Sequence, residues 1–383
     1  MFSNLLKKWR AGREAWAGLQ AFNAQPRAAK RCVFYAETAA DWAYLGPVAK
    51  ALQARGERVI RITSERDDPV LAGDDAFFVG FGAARTVLFR TIDADAFVMT
   101  LSDLETFHLK RSVNLVHYFY VFHSIASTHR VYREHAFDAY DTIFCAGPHH
   151  VEEIRKTEAV YGLRPKRLLE HGYGRLDTLI ADIDARSKPA VANAMPNVLV
   201  APSWGECSIV KHCLEPLLET LLAAGFNVTL RLHPMTRRHQ PALAESLLAK
   251  YSPGGRFQFD PHINTTDSLL GADIMISDWS GAPLEYAFSR ERPVIFLDTP
   301  PKVHNPNHAR IGLPYLEEEI REELGRVIPL SDLPVVPEAV RELLAETAEW
   351  APRIRAARER AVFNVGRSGD VAAEHIITTL PAR

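Results

Sequence analysis

The chain has 383 residues, too many for one ordinary core and enough for two domains of about 150 to 190 residues. Hydrophobic residues make up 47% and charged residues 24%, the balance of a globular protein, and a formal net charge of −2 gives no basic field for nucleic acid. No run reaches the roughly 18 apolar residues that span a bilayer, and the start of the chain lacks the apolar core of a signal peptide.

The first two dozen residues read as a helix of their own. Phe2, Leu5, Trp9, Gly12, Trp16 and Leu19 share one face, while Lys7, Lys8, Arg10 and Arg13 lie off it. Such a basic amphipathic helix, within residues 1–27, suits an anionic membrane surface. Packing on the first domain or on a second subunit would use the same face.

From Arg31 the pattern changes to short apolar strands alternating with helices. Strands are expected over Arg31–Glu37, Arg58–Thr63, Ala96–Leu101, Val113–Phe122 and Thr142–Ala146, with helices over Tyr44–Arg55 and His150–Tyr161. Gly73–Gly82 reads as a loop or short hairpin. His171-Gly172-Tyr173-Gly174-Arg175-Leu176-Asp177 is a turn-forming run before a polar helix reaching about Arg186. Ser187–Pro196, rich in Pro, Ala, Asn and Lys, suits a linker.

The alternation then restarts. Strands are expected over Asn197–Ala201, Asn227–Leu232, Arg256–Phe259, Asp273–Ile276 and Pro293–Leu297, and helices over Lys211–Ala224, Ala242–Tyr251 and Pro283–Ser289. The last 70 or so residues are mostly helical and charged, including Glu338–Trp350 and Pro352–Val362. The expected fold class is α/β: two doubly wound, Rossmann-type domains, 28–190 and 191–383, with a cleft between the carboxyl ends of their sheets. Cys32, Cys145, Cys207 and Cys213 form no C-x-x-C pair and read as reduced thiols of a cytoplasmic protein.

Candidate chemistry collects at strand ends. Ile274–Ile276 leads through Ser277-Asp278-Trp279-Ser280-Gly281 to a helix start at Pro283, a strand, tight turn and helix that would aim free N–H groups at a phosphate. Asp278, Ser280 and Glu285 are the candidates there. In the plain alternative, Ser280 caps the helix and Asp278 closes the turn. Ser203 follows one neighbouring strand, and Arg231 and His233 close another. A histidine before a proline, as in His233-Pro234, is also a common loop feature. His123 follows the run Val113–Phe122 and precedes small hydroxyl residues, placed to accept a proton or simply to hold a loop. His117, His123, His129 and His135 recur every six residues, which fits no metal-ligand spacing, and no metal or cofactor is expected.

Taken together, these segments resemble the CDP-glycerol glycerophosphotransferases, which transfer polyol phosphates in making teichoic-acid-like polymers. The resemblance runs through Ile276-Ser277-Asp278-Trp279-Ser280-Gly281, Leu284-Glu285-Tyr286-Ala287, Arg292-Pro293-Val294-Ile295-Phe296 and Leu230-Arg231-Leu232-His233-Pro234. Gly172-Tyr173-Gly174-Arg175-Leu176-Asp177 and Ala201-Pro202-Ser203-Trp204 add to it, as does Gly366-Arg367-Ser368-Gly369. It implies a GT-B-like fold whose second domain holds a CDP-linked polyol donor. His123 and His233 would be catalytic, and Ser203, Arg231, Asp278, Ser280, Gly281 and Glu285 would bind substrate. His123 would be the base that activates the acceptor hydroxyl, and His233, Asp278 and Ser280 would line the pyrophosphate region. Two departures stand out: Phe122-His123-Ser124-Ile125 in place of Trp-His-Gly-Thr, and Gly281 in place of a second serine.

The acceptor implied is a glycan, a lipid-linked chain or a polymer of the cell envelope or capsule. The setting implied is cytoplasmic, with peripheral contact at the inner face of the membrane. A nucleotide-sugar glycosyltransferase or sugar-nucleotide epimerase on the same GT-B fold is the alternative activity.

Overall fold

The computed structural model describes residues 2–185, 195–261 and 266–381. Thirteen strands in these segments form two wholly parallel sheets, as the alternating sequence requires.

The first sheet has seven strands in the order β3-β2-β1-β4-β5-β6-β7. In chain order they are β1 Cys32–Ala36, β2 Val59–Thr63, β3 Ala76–Phe78, β4 Ala96–Met99, β5 His117–Val121, β6 Thr142–Cys145 and β7 Arg167–Glu170. The second has six, β8 Asn197–Val200, β9 Asn227–Leu230, β10 Phe257–Phe259, β11 Ile274–Ser277, β12 Val294–Asp298 and β13 Gly325–Pro329, in the order β10-β9-β8-β11-β12-β13. Both orders reverse beside their first strand, the switch point at which doubly wound sheets bind ligands. Most central strands are buried on both faces and are uninterrupted apolar runs, which is why the sequence reveals them.

At three of the four sheet edges the sequence misleads, β10 being the edge strand it did reveal. β3 lies inside Gly73–Gly82, expected as a loop or short hairpin, while β7, with no fully buried position, and β13, which mixes buried and exposed ones, were not expected. The run Val113–Phe122 begins its strand only at His117, because Val113 and Leu115 are exposed at 82% and 99%. The expected helix Lys211–Ala224 is two helices, Ile209–His212 and Leu214–Ala223, broken at Cys213. Most of the expected linker Ser187–Pro196 lies outside the described residues. No disulfide forms among the described residues: Cys32, Cys145 and Cys213 are buried free thiols and Cys207 is half-buried.

The first helix, Phe2–Asn23, turns Ala15, Leu19 and Phe22 into the core of the first sheet. Its Gly18 passes so close to β3 that a Cβ would lie 2.0 Å from the Phe78 carbonyl oxygen, so only glycine fits. Trp9 and Trp16, expected on one face with Leu19, stay exposed at 64% and 42% while Leu19 is buried.

The last helix, Ser368–Thr379, returns from the second sheet to the first. Its Ala372, Ala373 and Ile376 pack with Phe34, Leu45 and Val48, against the helix Trp42–Ala54. Asp177, near the start of the helix Gly174–Ala185, fastens this return by accepting hydrogen bonds from Gly366 N at 2.7 Å, Ser368 N at 2.9 Å and Ser368 Oγ. Gly172, at φ 105°, lets the same crossing approach closely, since a Cβ there would lie 2.4 Å from the Phe363 carbonyl oxygen. Two sequence segments that read as part of a family signature thus meet as a clasp.

Candidate functional site: a cleft between the two sheets

The carboxyl ends of both sheets open onto one cleft of about 980 Å³. Its walls include His123, Ser203, Arg231, His233, Ser280, Gly281 and Glu285, seven of the eight residues singled out from the sequence.

Asp278 is the exception. It is only 1% exposed, and its carboxylate accepts hydrogen bonds from Ser203 N at 2.8 Å and Ile209 N at 2.7 Å. Burial pushes its carboxyl above the ordinary carboxylate range, and the two amide hydrogen bonds pull it back. Asp278 therefore ties the turn after β11 to the loop after β8, rather than facing the cleft.

The turn delivers the start of the helix Ala282–Arg290 to the cleft. Neither Ser280 nor Gly281 caps that helix through a side chain, so the first-turn amides of Ala282 and Leu284 are left uncapped, Pro283 between them having no N–H. Ser277 spends its proton on the Ala201 carbonyl at 2.6 Å, so in its 3.3 Å pairing with Ser280 it is Ser280 that donates. The plain reading of Ser280 as a helix cap does not hold. Gly281 faces the other sheet, where a Cβ would come within 3.5 Å of Ser124 Oγ.

His233 does cap a helix, Pro234–His239, its Nδ1 accepting from Met235 N at 3.1 Å. That bond fixes the tautomer, leaving the proton of the neutral ring on Nε2, a donor. Desolvation, helped by Lys302, lowers its pKa to about 4, so the ring is neutral at pH 7.

His123 sits past β5 with its ring between Tyr44, at 6.2 Å, and Tyr132, at 5.6 Å, both edge-on. Burial lowers its pKa below the ordinary value, against a hydrogen bond to the Thr100 backbone that raises it. A neutral imidazole at pH 7 can take a proton. The loop after it is held by two histidines, the half-buried His149 on the Ile125 carbonyl at 2.9 Å and the buried His150 on the Ala126 carbonyl at 3.1 Å.

Glu285 is committed across the cleft, accepting from Tyr173 Oη and Arg175 Nε, each at 2.8 Å. The Glu285 charge holds the Arg175 guanidinium firmly protonated. Arg231 donates to Ser268 Oγ at 3.2 Å and lies 4.0 Å from Asp260. Among the described residues no group of three or more His, Cys, Asp or Glu is placed to hold a metal ion.

Two half-sites thus line one cleft, a neutral histidine from the first sheet and a helix start from the second. Residues 122–300 carry the signature of a CDP-Glycerol:Poly(glycerophosphate) glycerophosphotransferase. The segment matched to this glycerophosphotransferase family runs from the residue before His123 to just beyond β12. The wall teichoic acid polymerase TagF has the same fold, with 16% identity, 99% of this chain and 98% of that one covered, and a TM-score of 0.61. UDP-GlcNAc 2-epimerase from Methanocaldococcus jannaschii is also similar, at 12% identity over 91% of this chain and 99% of that one, with a TM-score of 0.59. No curated protein matches the chain in sequence. The GT-B-like architecture expected of a glycerophosphotransferase is therefore the fold observed.

Sequence reasoning passed over three features of the cleft. Tyr44 and Arg175 reach it from the first half, and Lys302 reaches it four residues past Asp298, the end of β12. Lys302 follows a strand end as His233 and Ser280 do, and that signal would have found it.

Proposed function

We propose that the chain transfers a polyol phosphate from a CDP-linked donor, glycerol phosphate being the polyol phosphate the family name gives, to an acceptor hydroxyl, releasing CMP. The observation that carries this is the meeting of His123 with His233 and the Ala282–Arg290 helix start in one cleft, inside the segment that matches the family. His123 takes the proton of the acceptor alcohol. The alcohol oxygen bonds to the phosphorus bearing the polyol, the bond from that phosphorus to the CMP oxygen breaks, and the electron pair leaves with CMP. The Nε2–H of His233 and the free helix amides stabilise the phosphate charge, and Ser280 can turn its hydroxyl toward it. Asp278 and Glu285 position these groups, and Ser203, Arg231 and Gly281 shape the donor side. The acceptor is a polymer, glycan or lipid-linked chain of the cell envelope.

Purified protein supplied with CDP-glycerol or CDP-ribitol and an envelope acceptor should release CMP. Release of UDP or GDP from a nucleotide sugar, with no CMP from either CDP-polyol, would refute the assignment in favour of a glycosyltransferase or epimerase.

The same reading places the protein at the inner face of the membrane through its first helix. Trp9 and Trp16 are exposed beside Arg10 and Arg13, a combination that suits anionic lipid headgroups. No helix of the described residues is long and apolar enough to cross a membrane.

A further inference from the structure

One cation in the cleft has no assigned partner. Lys302 lies just past the segment that matches the family, on the stretch Thr299-Pro300-Pro301-Lys302 that leaves β12. Its Nζ stands 4.5 Å from the centre of the Trp204 ring. The ring of His233 lies 6.1 Å from the same indole and that of His304 6.0 Å, so Lys302 shares one wall with the histidine that faces the donor phosphates. Among the described residues it forms no ion pair. The charged and titratable groups facing it are Asp278, Cys207, His233 and His304. Asp278 is the one carboxylate of that set, and it is already occupied by two backbone amides. A half-desolvated ammonium held over an indole, in the same cleft as a helix start whose one first-turn carboxylate, Glu285, is spent on Tyr173 and Arg175, is a site built for negative charge that arrives with a ligand.

We propose that Lys302 is a catalytic residue of the donor side, holding the nucleotide phosphate that leaves. Resting on the phosphotransfer reading above, it acts in the same step: while His123 takes the acceptor proton and the bond to the CMP oxygen breaks, Lys302 keeps its protons and donates hydrogen bonds to the oxygens on which charge collects. A compact ammonium suits this task because its interaction strengthens as the leaving oxygen gains charge.

The ammonium must stay protonated, and burial lowers its pKa to about 8 against the opposing pull of Asp278. The rate should therefore fall on the alkaline side. The test compares wild type, Lys302→Met and Lys302→Arg by CMP release from CDP-glycerol across pH 6 to 10, and by thermal shift with CMP and with inorganic pyrophosphate. Lys302→Met should lose roughly 100-fold in kcat/KM, the scale of removing one transition-state donor, and lose most of the pyrophosphate shift. Lys302→Arg should recover part of the rate and move the alkaline limb beyond pH 9, since a guanidinium stays charged there. Full kcat/KM and an unchanged pyrophosphate shift in Lys302→Met would overturn the assignment. So would an alkaline limb that stays in place in Lys302→Arg, which would leave the lysine only a wall of the Trp204 pocket. Absence of CMP release by wild type would overturn the phosphotransfer reading instead, and Lys302 would then stand or fall on the pyrophosphate shift alone.

Discussion

At the scale of single residues, the cleft separates side chains left free for chemistry from side chains spent on holding its walls together. His123 and His233 are both held neutral by burial, yet their hydrogen bonds give them opposite uses: His233 is fixed as an Nε2 donor, while His123 can accept a proton. Asp278 looked equally functional in the sequence and is a builder, because its two oxygens are already spent on Ser203 and Ile209 amides. Substitution separates the two kinds. His123→Ala should lower CMP release by roughly 10²- to 10⁴-fold with little change in the urea midpoint. Asp278→Ala should cost about 3 kcal/mol of stability, since two buried N–H groups lose a charged acceptor. A stable, inactive Asp278→Ala protein would instead return Asp278 to the list of direct ligand contacts.

Among the elements, the two that close the chain at its ends behave differently. The last helix is fully enlisted, clasped by Asp177 and packed into the first sheet's layer. The first helix is enlisted on one side only, with Ala15, Leu19 and Phe22 inside and Trp9 and Trp16 outside. Deletion of residues 1–14 spares the Ala15–Phe22 contacts. It should reduce pelleting with vesicles containing anionic lipid, while leaving CMP release to a soluble acceptor within about twofold. Undiminished pelleting would rule the helix out as the lipid contact. The inner strands were legible in sequence as apolar runs, and β3, β7 and β13 were not. A strand at the sheet edge needs apolar residues on fewer positions, so its pattern fades into that of a loop.

For the whole molecule, buried histidines tie stability to pH. Burial lowers the pKa of His150 to about 3 and of His171 to about 4, against an unfolded value near 6.5. Between pH 6.5 and 4 the unfolded chain binds protons that the folded one refuses, so stability falls as pH falls through that window and is complete above it. Each histidine contributes a slope of up to ~1.4 kcal/mol per pH unit. The urea midpoint should therefore drop between pH 7 and pH 5, above the range where ordinary carboxylates titrate. A midpoint that rises or holds over that interval would refute this account.

The sequence alone determined the alternation of buried strands and helices, hence two doubly wound parallel sheets. It also determined which strand ends carry His123, Ser203, Arg231, His233 and Ser280, because periodicity and turn chemistry are local and survive in a linear reading. Only the tertiary structure decided which of those side chains remain free. Whether Asp278 meets solvent or a backbone amide 75 residues away, whether Glu285 meets a ligand or Arg175, and whether Lys302 finds a carboxylate all depend on contacts between distant segments. Burial and pairing are properties of the packed chain, and they set both the charge state of a group and its availability to a substrate.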